Sequence, residues 1–206
     1  MRWLMLVIFV SAAVGLFSCS DDPKKPEPEP VLQMQAGSWG EAISHFATAW
    51  ETRNFELYDS LLTADYVFFF NAEDVEEDPD IPPTWNLAQE LAAVSNMFVD
   101  PNIERITLDW NVGAIEDPIP FHLDGSVLVT DIDLEIDIRD PETGELWENV
   151  IHGAVWFGLR KMPYATADGD TVWKIAEWKD LTNVSPLMVP EGQTQEASWG
   201  RIKSIY

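Results

Sequence analysis

The eight residues from Asp131 to Ile138 alternate an acid with a branched apolar side chain: Asp-Ile-Asp-Leu-Glu-Ile-Asp-Ile. A β-strand, whose successive side chains point to opposite faces, sorts this pattern cleanly. Ile132, Leu134, Ile136 and Ile138 then face a core, while Asp131, Asp133, Glu135 and Asp137 line the other face at ~7 Å intervals. A strand with one wet face belongs to an antiparallel sheet covered on one side only, so the rest of the chain must supply the cover.

The cover comes first in the chain. Ser38 and Glu41 have the spacing of a capping box, and Trp39, Ile43, Phe46, Ala47 and Trp50 then recur at helical spacing. A second helical segment after Asn54 turns Phe55, Tyr58, Leu61 and Leu62 inward and ends near Asp65. Tyr66-Val67-Phe68-Phe69-Phe70 reads as a buried strand. Residues 71–83 are acidic and Pro-rich and are expected to form a loop with no inward-packing acid. Asn86 and Gln89 give another cap, and Leu87, Leu91, Val94 and Phe98 share one helical face to about Met97. From Ile106, Leu108 and Trp110 onward the period is two. Strands are expected over 126–139, 147–161 and 172–181, with turns at 140–144 and 168–170. Helices first and an antiparallel sheet afterwards make the class α+β.

Two segments precede the domain. Residues 1–19 carry one charge, Arg2, and an apolar run ending in Leu16-Phe17-Ser18-Cys19. This is a secretory signal, and its end resembles the bacterial lipobox, with Cys19 as the lipid acceptor. Cys19 is the chain's single cysteine, so no intrachain disulfide forms. Residues 20–37 begin Ser-Asp-Asp-Pro-Lys-Lys-Pro-Glu-Pro-Glu-Pro, a tether too polar to pack. The expected organisation is signal 1–19, tether 20–37 and a domain over 38–206. The expected address is the bacterial cell envelope; by resemblance to bacterial lipoproteins, Ser20 implies the outer membrane, with the lipid as the membrane contact. Net charge is -24, from 36 acids against 12 bases, and repels nucleic acid phosphates.

The order of elements, the passage Leu61-Leu62-Thr63-Ala64-Asp65-Tyr66-Val67-Phe68 and the closing Trp173-Lys174-Ile175-Ala176-Glu177-Trp178 resemble the nuclear transport factor 2-like superfamily, which includes SnoaL-like and ketosteroid isomerase-like proteins. The resemblance implies a cone-shaped, curved antiparallel sheet around three N-terminal helices, with a pocket inside. It sets Phe46 where ketosteroid isomerase has its catalytic tyrosine and Phe70 where it has its general-base aspartate. Neither ring moves a proton, which counts against that chemistry. The superfamily also dimerises through the outer sheet face, where the acidic row would set like charge against like.

Trp50, Trp85, Trp110, Trp156 and Trp173 are candidates to line the cavity, which would suit a small apolar or planar ligand, although core filling is the ordinary role of such residues. Tyr58, Asp109, His122 and Glu177 are the polar candidates. His152 is expected opposite Asp133 across a hairpin. His45, His122 and His152 lack zinc spacing, and the acidic row is too spread for one hard cation, so neither a metal site nor a cofactor is assigned. The expectation is an envelope lipoprotein with a non-catalytic domain for a small molecule or an envelope protein partner. A small lyase or isomerase, which would need a buried ionisable pair, and a purely structural protein with a solid interior are the alternatives.

Overall fold

The computed structural model describes residues 35–116, 122–182, 194–196, 198–204 and 206. Cys19, the signal and the tether up to residue 34 lie outside the described residues. Helix α1 (Trp39–Glu51) starts where Ser38 accepts a hydrogen bond from the Glu41 amide, and it buries Ala42, Ile43, Phe46, Ala49 and Trp50. Helix α2 (Phe55–Leu61) is capped by Asn54 and gives way directly to strand β1 (Leu62–Phe69). The helix therefore stops four residues earlier than its apolar spacing implies, because Leu62 enters the sheet beside Ile175.

The acidic stretch is not all loop. It holds helix α3 (Ala72–Glu77), capped by Asn71, and strand β2 (Thr84–Asn86). Helix α4 (Leu87–Val99) begins in the expected capping box of Asn86 and Gln89. Four long strands follow: β3 (Ile103–Glu116), β4 (Gly125–Arg139), β5 (Leu146–Ala165) and β6 (Thr171–Asp180). Strand β7 (Thr194–Glu196) and helix α5 (Trp199–Ser204) end the chain.

The architecture is α+β, with a curved, unclosed sheet in the order β2-β1-β6-β5-β4-β3. The sheet is mixed rather than wholly antiparallel. β1 runs parallel to β6, and β7 runs parallel to β5. β1 and β6 are far apart in sequence, so the helices and strands between them act as the crossover that a parallel pair requires.

β4 shows how the acidic alternation is turned outward. Val127 and Val129 face the core, and Ile132, Leu134 and Ile136 also do, although the two sets differ in parity. A bulge between Val129 and Ile132, with Asp131 in the left-handed region at φ 51°, inserts the residue that reconciles them. Aspartate tolerates that conformation better than most residues. Beyond the bulge Asp133 sits opposite His152, and their side chains pair at 3.3 Å, as expected. Arg105 on β3 reaches Asp137 at 2.9 Å and Glu135 at 3.4 Å, so the outer acids are partly neutralised within the chain; Asp137 is buried rather than solvated as expected, because the Arg105 side chain lies against it.

Candidate functional site

The concave side of the sheet holds an aromatic cluster centred on Phe46. Its ring lies 5.0–6.2 Å from those of Trp50, Tyr58, Trp110, Phe157 and Trp178. Trp199, from α5, stands edge-on between Trp50 at 4.7 Å and Trp178 at 4.8 Å. The volume in which a pocket is expected is thus filled by the chain's own last helix. The indole N–H groups of Trp50, Trp178 and Trp199 make no hydrogen bonds among the described residues, a polar cost offset by edge-to-face packing.

One turn after Trp199, α5 carries Lys203 into the same interior, where its side chain is fully buried. The ammonium donates to Glu90 Oε1 at 2.7 Å. It also lies 3.4 Å from the ring centroid of Trp178 and 3.8 Å from that of Phe68. Glu90 is on α4, is itself fully buried, and accepts a second hydrogen bond from the Tyr58 hydroxyl. Tyr66 is within electrostatic reach of Glu90, but its hydroxyl makes no hydrogen bond of good geometry. Glu90 Oε2 is likewise without a partner.

Burial pushes the Lys203 ammonium down to about 8, against the opposing pull of Glu90 and Asp180. Burial, reinforced by Glu90, holds the Tyr58 phenol well above its ordinary value. Asp180, at the end of β6, is also raised by burial, although hydrogen bonds from Thr182 and the Gly200 amide oppose the shift.

Acids from two elements, β6 and α3, fasten α5 at its outer side. Asp180 accepts from the Gly200 amide at 3.0 Å. Asp74 accepts from the Ser198 hydroxyl and from Arg201 Nε at 3.0 Å, and Glu77 pairs with the same guanidinium. Asp74 is buried, which corrects the expectation that no acid of the 71–83 stretch packs inward. No Lys or Arg lies between residues 54 and 104, so its partner comes from the far end of the chain. Gly200 is required by close approach: a Cβ there would lie 2.5 Å from the Phe70 ring.

The sequence candidates divide among three places. Phe46, Trp50, Tyr58, Phe70 and Trp110 belong to the interior, with Trp85 at its edge against Phe68 and Phe70. Glu177, His122 and Trp156 do not join them but meet on the outer face. His122 Nε2 is 2.7 Å from Glu177, and Lys179 is 3.7 Å from Glu177 and 4.1 Å from the Trp156 ring. Asp109 is exposed and in register with Asp133, so it belongs to the acidic outer face. Trp173 lines a separate groove of about 280 Å³ with Asp59, Tyr164 and Lys174.

Glu90 and Lys203 were not among the candidates. Their signal was positional: Glu90 shares the apolar face of α4 with Val94 and Met97, and Lys203 shares that of α5 with Trp199. Among the described residues, no group of three or more His, Cys, Asp or Glu is arranged to hold a metal ion.

No family model and no curated protein matches the sequence. Solved structures are similar to it at low identity. A conserved protein from Planctomyces limnophilus is 16% identical, with 70% of this chain and 92% of that one covered and a TM-score of 0.47. An NTF2-like protein of unknown function in nutrient uptake from Rhodospirillum rubrum is 11% identical, covering 69% and 95%, with a TM-score of 0.41. An LEH-like epoxide hydrolase of M. tuberculosis is 14% identical, covering 70% and 81%, with a TM-score of 0.40.

Proposed function

We propose that this chain is a lipid-anchored protein of the bacterial cell envelope, held by Cys19 at the outer membrane, whose domain binds rather than transforms its ligand or partner. The observation that carries the non-catalytic part is the filling of the interior. Trp199 occupies the space between Trp50 and Trp178, and Lys203 occupies the carboxylate of Glu90. In this state neither reactant nor ligand reaches an ionisable group inside the domain; binding there requires α5 to leave its seat, and a permanently seated α5 is what the purely structural alternative requires. The anchoring part rests on the sequence of residues 1–20.

Two measurements test this. Intact mass of the mature chain from its own host should show Cys19 at the N-terminus with added diacylglycerol, and Cys19→Ser should release the protein from the membrane fraction. Native mass spectrometry of the gently purified protein should show a retained ligand or a bound protein. An unmodified N-terminus, or bare mass under every condition, overturns the corresponding half.

A lyase or isomerase is the second reading, favoured by one observation. Glu90, Lys203 and Tyr58 form a buried ionisable cluster in which Lys203 and Tyr58 have shifted titration, the feature that such an enzyme requires. Turnover would demand that α5 open, and the variants below distinguish the two readings.

A further inference from the structure

Trp199 and Lys203 are four residues apart, one turn of α5, and so present an indole and an ammonium on the same side of the helix about 6 Å apart along its axis. Both enter the interior. The indole is held edge-on between two tryptophans, and the ammonium is held between a carboxylate and two ring faces. A carboxylate with an aromatic wall is the chemistry that recognises an amine, because ring faces and the carboxylate attract the same cation. We propose that the interior is a binding site for an arylalkylamine, and that α5 is a built-in occupant that such a ligand replaces.

Two features favour this class over other cations. The site holds more acceptors than Lys203 uses: Glu90 Oε2 is buried without a hydrogen-bond partner among the described residues, and the Tyr66 hydroxyl meets only the Tyr58 hydroxyl, without good geometry. Those orphans call for N–H donors, which a primary ammonium supplies and a quaternary ammonium lacks. The slot that Trp199 fills is walled by aromatic rings, so the part of the ligand joined to the amine is flat and apolar. This inference rests on the reading of the domain as a binding module and names the ligand class of that module.

The test uses the full chain and 2-phenylethylammonium, with 2-phenylethanol as the neutral control of similar shape. W199A/K203A removes the internal occupant and leaves Glu90, Trp178, Phe68 and Trp50 in place. By titration calorimetry it should bind the amine at least ~10-fold more tightly than it binds the alcohol, and more tightly than the unaltered protein binds the amine. E90Q/W199A/K203A keeps the slot without its charge and should lose the preference.

Equal affinity for amine and alcohol in W199A/K203A, or an undiminished preference in the triple variant, overturns the proposal. Where W199A/K203A does not fold, K203A carries the test alone. Ethylammonium chloride should raise its Tm above that in sodium chloride of equal ionic strength, and an equal Tm in the two salts overturns the proposal. The two readings fail differently. If the amine binds and is chemically converted, the non-catalytic function falls and the amine site stands. If no amine preference is found while the purified protein retains a ligand of another class, the binding function stands and the amine site falls.

Discussion

The outer face of β4 and the interior beneath α5 both pair acids with bases, yet they use charge in opposite ways. Outside, Arg105 spans Glu135 and Asp137 with its side chain 55% exposed, and His152 meets Asp133 in solvent. Inside, Lys203 and Glu90 meet at 2.7 Å with no exposure at all. Distances in the two places are similar, so the contrast comes from solvent. Water and salt weaken the Arg105–Glu135 and His152–Asp133 pairs until they are nearly interchangeable, and only Asp137 among the outer acids of β4 is itself buried. The inner pair has surrendered its hydration, and each member is tolerable only while the other is present. Outer charge keeps the molecule soluble; inner charge specifies where one helix must sit.

The comparison breaks most visibly at Glu90. E90A should destabilise the fold by about 3–5 kcal/mol in urea unfolding, because it leaves the ammonium of Lys203 buried without its partner. E90Q/K203M, which removes both charges at similar volume, should recover most of that loss; a single variant that costs no more than the double would mean the pair is not charged. G200A comes next, at about 1–3 kcal/mol, because its methyl meets the Phe70 ring and lifts α5 from its seat. Scanning calorimetry would show this as a lowered Tm.

A smaller effect sharpens the contrast through pH. Lys203 sits at about 8 in the fold against 10.5 as the ordinary lysine value. Between those values the unfolded chain holds a proton that the folded chain has shed, so stability should rise with pH there, by at most ~1.4 kcal/mol per unit. K203M should abolish the rise. Above pH 10 the sign reverses, because Tyr58 and Tyr66 keep their protons in the fold while free phenols lose theirs. The smallest effect belongs to H152Q on the outer face, where both members of the pair are exposed; it should leave the urea midpoint unchanged within error, with still less difference in high salt.

Much of this architecture was legible locally. The caps at Ser38 and Asn86 and the Asp133–His152 pairing follow from nearest neighbours and strand parity, and each stands where the sequence puts it. The bulge at Asp131 was also written there, as a change of parity between Val129 and Ile132, but it passes unnoticed unless both strand halves are read together. The repeated Ser-Trp-Gly of residues 38–40 and 198–200 has a local meaning too: Ser38 and Ser198 each accept a hydrogen bond from the amide three residues on, at the start of a helix.

The candidate site was harder to read because its parts are distant in the chain and ambiguous in kind. Aromatic residues at Phe46, Trp50, Tyr58 and Trp110 were expected to line an opening, and they pack on one another instead, with Trp199 wedged between Trp50 and Trp178. Glu90 and Lys203 look like solvated charges on amphipathic helices until the two faces are set against each other. His122, Glu177 and Trp156 are close together, but strand parity turns them outward, away from the interior.

By itself the sequence determined the α+β class, the starts of α1, α2 and α4, the acidic outer face of β4 and the apolar inner one, because each depends on periodicity and capping within a few residues. Only the tertiary structure decided that β1 lies parallel to β6, that Asp74 is buried, and that the last helix returns to fill the interior with Trp199 and Lys203. Those outcomes depend on which distant surfaces exclude water together. A buried charge is identified by its partner 113 residues away, not by its neighbours in the chain.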